Sequence, residues 1–203
     1  MNEARLSGVV VSDVVEESTS RGETFYTFDL SITRQSGVAD IILCRVSERC
    51  DGFDQISKDR WIRVEGRYSS YRKIEGASMR LCLSVFVTLV QPIEIKEGYE
   101  CENSVELEGT LSKIKDLKEI STRTVLEMNL LVPRGAYGRQ DLIPIVTWGR
   151  TATYCHTKLS PGQRVRVTGR IQSRERVGED GGTYRIYNVS VIDLEVVNTE
   201  EAV

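Results

Sequence analysis

Residues 141–176 read DLIPIVTWGR, then TATYCHTKLSPGQ, then RVRVTGRIQSRER. Two strand-like runs flank a middle segment with the look of a short helix. The first run ends in Trp148. The second alternates Val165 and Val167 with Arg164 and Arg166, and continues through Arg170, Arg174 and Arg176. In a strand, successive side chains point to opposite faces. An unbroken strand therefore puts these five arginines on one face and the valines on the other. Arginines beside a tryptophan on a sheet suggest a nucleic-acid surface. A solvated strand edge is the competing reading of this stretch taken alone.

The remainder of the chain can be compared with this stretch, and it repeats. Residues 2–8, NEARLSG, align with 103–109, NSVELEG. Phe28, Leu30 and Arg34 match Met128, Leu130 and Arg134; DIIL at 40–43 matches DLIP at 141–144; RVEGR at 63–67 matches RVTGR at 166–170. An offset that drifts by only a few residues is what loop insertions in a duplicated unit produce. Two homologous domains are expected, at 1–93 and 101–198. Residues 91–100, QPIEIKEGYE, form a connector whose reach is at most ~35 Å, and 199–203 form a short tail.

Each copy shows the same order. A strand (4–12; 105–113) is followed by a turn rich in Ser, Thr and charge, then a second strand (24–34; 122–132) and a third (40–47; 141–148). A short helix is expected next (48–57; 150–159). Two long strands then form a Gly-bearing hairpin (61–72 and 77–90; 163–176 and 183–197), with GEDGG at 178–182 as the second turn. Five strands with a helix between the third and fourth is the order of an oligonucleotide/oligosaccharide-binding (OB) barrel. The predicted class is all-β, with two tandem five-stranded OB barrels.

Duplication also separates core from surface, because core positions stay apolar in both copies. Ile42/Ile143, Cys44/Ile145 and Val46/Thr147 form one set on the third strand; Ile62/Val165 and Val64/Val167 form another on the fourth. The interleaved pairs are Leu43/Pro144, Arg45/Val146 and Ser47/Trp148, and a core site does not readily hold Ser in one copy and Trp in the other. Trp148 is therefore assigned to the outer face, although a strand Trp taken alone is more often core. Trp61/Arg164, Arg63/Arg166, Arg67/Arg170, Tyr71/Arg174 and Lys73/Arg176 are the outer pairs of the fourth strand. Tyr71, Tyr184 and Tyr187 flank the hairpins, where packing and base contact remain alternatives. Arg134 completes the set of candidate contacts.

Composition narrows the classes. The chain has 203 residues, 40% hydrophobic and 28% charged, as ordinary globular proteins do. No run approaches the ~20 apolar residues that span a bilayer. MNEARLSG has no basic-then-apolar leader, so a cytoplasmic location is expected. The net charge of -3 counts against a generally basic binder, but local charge placement governs binding. The five cysteines are scattered and accompany a single histidine, which argues against a zinc site; no metal or other cofactor is expected. Cys155–His156 is the one nucleophile–base pair on offer. Adjacent helical residues do not face each other, and no third partner is marked, so no enzyme is expected.

Residues 103–197 resemble the bacterial single-stranded DNA-binding protein (SSB) family. The likeness rests on NSVELEGTLSK, DLIPIVTWGRTA and KLSPGQRVRVTGRIQSR. The first copy shares RLSGVVV, FDLSITR and RVEGRYSSYR and is more divergent. Leu142 and Arg176 stand where the family often has aromatics, and Ser47 takes the place of its strand-three aromatic. The resemblance implies OB barrels that bind single strands with little sequence preference, arginines neutralising phosphates and aromatics stacking bases. Family members that assemble four OB domains imply a homodimer of this two-domain chain. The acidic-hydrophobic tip that recruits replication proteins in many members has no match in NTEEAV at 198–203, so such recruitment is not expected. The alternative function is a primosome-type OB protein-interaction module, motivated by the Ser47-bearing first copy.

Overall fold

The computed structural model describes residues 1–75, 78–135, 138–178 and 181–197. The turn expected at 178–182 lies partly outside them, and the tail at 199–203 wholly so. The chain groups into two compact units. The first comprises Glu3–Ser104 with Gln172–Ile186; the second comprises Met1–Asn2, Val105–Ile171 and the described residues from Tyr187 onward.

The first unit contains β1 (Asn2–Val10), β2 (Val15–Ser20), β3 (Glu23–Thr33), β4 (Ala39–Asp51), a 3-10 turn at Phe53–Gln55, β5 (Trp61–Glu75) and β6 (Ser78–Pro92). β1 pairs antiparallel with both β3 and β5, β3 with β4, and β5 with β6, while β4 runs parallel to β6. The pairings thus return on themselves through five strands, leaving β2 as an outer strand on β3. Alternation fills the interior: Leu6, Phe28, Leu30, Ile32, Ile42, Cys44, Ile62, Val64, Tyr68 and Val85 are buried. Removal of this apolar surface from water is the main stabilising term.

The second unit contains β7 (Asn103–Ile114) from Val105 onward, β8 (Lys118–Ile120), β9 (Arg123–Pro133), β10 (Gln140–Trp148), α1 (Gly149–Lys158), β11 (Arg164–Val177) as far as Ile171, and β12 (Thr183–Val196) from Tyr187; the hairpin end of β11 and β12 groups with the first unit. Here β7 pairs with β9 and β11, β9 with β10, β10 in parallel with β12, and β12 with β11. Leu107, Leu111, Met128, Leu130, Ile143, Ile145, Val165, Val167 and Val189 fill its core.

The repeated NEARLSG/NSVELEG segments end in glycines for a steric reason. At Gly8 an added Cβ would lie 2.1 Å from the Ser31 carbonyl oxygen, and at Gly109 2.3 Å from that of Leu131. These are the points where β1 and β7 begin to meet β3 and β9, and only a residue without a side chain allows that approach.

Two expectations need correction. The helix expected at 48–57 is only the 3-10 turn Phe53–Gln55, because β4 continues to Asp51 and Gly52 then turns the chain in the left-handed region, φ 80°. The turn segments after the first strand of each copy also contain short strands, β2 and β8. Every residue of both is exposed, so no hydrophobic alternation marks them.

Two further segments pack within the first unit. From the expected connector, the Ile93 N–H donates to the Trp61 carbonyl at 3.1 Å, and Tyr99 donates its hydroxyl to Ser7 Oγ at 2.8 Å while meeting Trp61 edge-on, centroids 6.2 Å apart. From the β11–β12 hairpin, the Ser173 N–H donates to Asp40 Oδ1 and the Ile41 N–H to Ser173 Oγ, both at 2.8 Å. Arg185 pairs with Asp29 at 3.0 Å.

Candidate nucleic-acid interface

Within the second unit, the pleat of β11 exposes Arg164, Arg166 and Arg170 and buries Val165, Val167 and Ile171 between them. Arg164 and Arg166 both engage Glu108 of β7, at 2.6 and 3.1 Å. Those two guanidiniums, Arg166 foremost, hold the Glu108 carboxyl below its ordinary value. Their charge is therefore already partly neutralised, whereas Arg170 has no ion pair among the described residues. Trp148 closes β10 immediately before α1. It is 37% exposed, while Thr147 and Ile145 are buried, but the outer face expected for the third strand is not open throughout: Val146 is 7% exposed, and Ser47, matched to Trp148 in the first unit, is 6% exposed. Arg134 forms a forked pair with Asp141, Nε to Oδ2 at 3.0 Å and Nη2 to Oδ1. Asp141 is 1% exposed, and the matched Arg34–Asp40 pair repeats the fork in the first unit. The recurrence gives Arg134 a structural duty of its own.

On α1, Cys155 is buried and His156 exposed. Burial raises the Cys155 thiol above its ordinary value. The two residues do not form a nucleophile–base pair. Among the described residues no cluster of His, Cys, Asp or Glu could hold a metal ion, and no helix is long and apolar enough to cross a membrane.

Within the first unit, Arg174 and Arg176 on the hairpin are exposed and have no ion pair among the described residues. Tyr184 lies under the Arg80 guanidinium, 4.2 Å from ring centroid to Cζ. Arg63 is held by Glu65 and Glu102, at 3.7 and 3.2 Å. Tyr71 is 37% exposed, and its hydroxyl is pushed up to about 12, first by desolvation. Lys73 is exposed on the same strand. Arg67 stacks over Phe86, 5.7 Å from its centroid.

Sequence reasoning missed the neighbours of Arg67. Arg45 lies over Phe25 at 4.4 Å and over Phe86 at 5.9 Å, and the two rings are 6.2 Å apart. The pair Arg45/Val146 was read only as an outer position. Phe25 and Phe86 resemble ordinary strand residues until the pairing of β3, β4 and β6 brings them together.

Residues 102–197 match the model of the single-strand binding protein family. The chain is 37% identical over 100 residues to single-stranded DNA-binding protein 2 of Clostridium acetobutylicum, covering 46% of this chain and 74% of that protein. It is 32% identical over 98 residues to the single-stranded DNA-binding protein of Caldanaerobacter subterraneus, covering 45% and 65%. The match thus spans about two thirds of the length of such relatives. The wild-type single-stranded DNA binding protein from Thermus aquaticus superposes with a TM-score of 0.77 at 21% identity, over 100% of this chain and 95% of that one; this is a likeness of fold. With a family model over residues 102–197 and a relative 37% identical over 74% of its own length, the chain belongs to the single-strand binding protein family.

Proposed function

We propose that the chain binds single-stranded DNA, coating or protecting it during replication, recombination or repair. In this reading each copy, 1–93 and 101–198, is a five-stranded OB barrel, and the chain acts as a cytoplasmic homodimer presenting four such barrels. It performs no catalytic step. Arginines and lysines take phosphates, and aromatic rings take bases. The observation that supports it most is Trp148, a large aromatic ring held 37% exposed at the end of a core strand in a chain of this family. Leaving such a ring in water forgoes its burial energy, and a base stacked on it recovers part of that.

Trp148→Ala is expected to weaken oligo(dT) binding about tenfold, since stacking on an aromatic is worth ~1–3 kcal/mol, with little change in melting temperature. Anisotropy of labelled oligo(dT) measures the first and a thermal melt the second. Intact binding with a melting temperature lowered by many degrees would make the tryptophan a packing residue and remove it from the site.

The ion pairs allow a second expectation. Arg170→Ala should reduce the slope of log affinity against log salt by ~0.7, the value of one lost phosphate contact on a single strand. Arg164→Ala with Arg166→Ala should change the slope by less than twice that, because Glu108 already screens both. Equal losses per arginine would show that Glu108 is released on binding.

A further inference from the structure

We propose that the outer face of the first unit built by Phe25, Arg45, Arg67 and Phe86 is a second stacking site for unpaired bases, with the Glu17 carboxylate occupying the phosphate position on Arg45 until a strand displaces it. This rests on the reading of the chain as a single-strand binder.

The four residues come from four adjacent strands. Phe25 is on β3, Arg45 on β4, Phe86 on β6 and Arg67 on β5, in the order in which those strands pair. Three strand spacings make a stripe of ~14 Å. The stripe lies opposite the core face, since Phe28, Cys44, Val46, Val85 and Val87 on the same strands are buried while both phenylalanines are half-buried and Arg67 is exposed. Rings and guanidiniums alternate along it, at 4.4, 5.9 and 5.7 Å. Aromatic faces and guanidinium planes are the two surfaces on which single-stranded bases stack.

The two copies differ here in a compensating way. Trp148 stands across the ladder from Val125. The matched cross-strand pair in the first unit is Ser47 and Phe25. The large ring is therefore retained at the same rung and passed to the neighbouring strand. Ser47 leaves it room, and is itself held by a hydrogen bond to the Glu23 carboxylate. Arg45 stands where the other copy has Val146, so the first copy has a cation that the second lacks at this level.

Glu17 supplies the electrostatic half. Arg45 donates from Nε to Glu17 Oε2 and from Nη2 to Ser18 Oγ, the latter at 3.4 Å. Both acceptors belong to β2, whose residues are all exposed. The β2–β3 register shifts between Glu16 and Ser18, so Glu17 sits on an irregularity of the kind that re-aims a side chain. An oxyanion hydrogen-bonded to a guanidinium is the contact a phosphate makes. An acidic peptide could satisfy Arg45 equally, but it would leave the two rings without a use, and bases are the favoured ligand.

The test uses the full chain and labelled oligo(dT), with an abasic oligomer of equal length as the second probe. Phe25→Leu with Phe86→Leu keeps apolar bulk and removes the ring faces. In wild type and in Trp148→Ala, this pair should weaken oligo(dT) binding about tenfold and leave abasic binding unchanged. Glu17→Gln should tighten both probes severalfold and steepen the salt slope by ~0.7. Unchanged oligo(dT) binding by the leucine pair in both backgrounds overturns the second site, while a loss confined to Trp148→Ala leaves the wider reading intact. Equal losses on both probes overturn stacking, as does tighter binding of an acidic peptide than of oligo(dT). Absence of oligo(dT) binding by the wild type overturns the wider reading and this inference together. Circular dichroism melts show that each variant is folded.

Discussion

Arg34→Met is expected to lower stability by about 3 kcal/mol, near the lower end of the ~3–5 kcal/mol cost of breaking a buried ion pair. Asp40 is 0% exposed. Its two oxygens accept from Arg34 Nε and Nη2 at 2.6 and 2.5 Å, and Oδ1 also accepts the Ser173 N–H at 2.8 Å. Methionine keeps an apolar stem but leaves the carboxylate without its countercharge. The Arg34 side chain is 22% exposed, so water relieves some of the penalty, which is why the lower end applies. Restoring charge neutrality with Asp40→Asn in the same chain should recover a large part of the loss, and urea unfolding of the four proteins of the cycle measures the coupling. A loss below about 1 kcal/mol, typical of surface pairs, would show that Asp40 is solvated after all.

Gly8→Ala is the other large effect. The new methyl would need to stand 2.1 Å from the Ser31 carbonyl oxygen and 3.0 Å from its carbon, and both belong to backbone. Either β1 moves off β3, losing the Val9–Ser31 and Val10–Leu30 pairing, or β3 moves off β4. The cost is expected at the ~3 kcal/mol upper end of overpacking, a fall of about 10 °C or more in melting temperature for a unit of this size. Gly109→Ala should behave alike, with Leu131 as the obstacle. A melting temperature within about 2 °C of wild type would mean that the first strand has freedom that the pairing denies.

What could be read in advance had two sources, the period of two and the internal duplication. Ile62, Val64, Val165 and Val167 were identifiable as core because both copies keep them apolar on one face, and all four are 0% exposed. The same comparison placed Trp148 outward. Phe25 and Phe86 escaped because sixty-one residues separate them and only the β3–β4–β6 ladder makes them neighbours. The Arg134–Asp141 fork was legible in the repeat, since Asp40 and Asp141 follow Arg34 and Arg134 at nearly the same distance. Glu108 lies in the repeated opening segment, yet its hold on Arg164 and Arg166 depends on the β7–β11 register. Period and repetition reveal faces; they do not reveal which charges on a face are already spent on each other.

The hairpin contacts of the first unit bear on how the chain is made. Ile41 and Ser173 are 132 residues apart, Asp40 and Ser173 133, and Asp29 and Arg185 156. Synthesis proceeds at ~5–20 residues per second, so roughly 7–27 seconds pass between the emergence of Asp40 and that of its backbone partner, 133 residues on. Loop closure over such a span must also precede any gain from the contact. The part of the protein that leaves the ribosome first is thus among the last to be completed. During that interval the start of β4 lacks the hydrogen bonds from Ser173, and Asp29 waits for its arginine. A nascent chain stalled before residue 172 would display an N-terminal unit with its strands paired but this corner open, more accessible to protease and to hydrogen exchange than in the finished molecule.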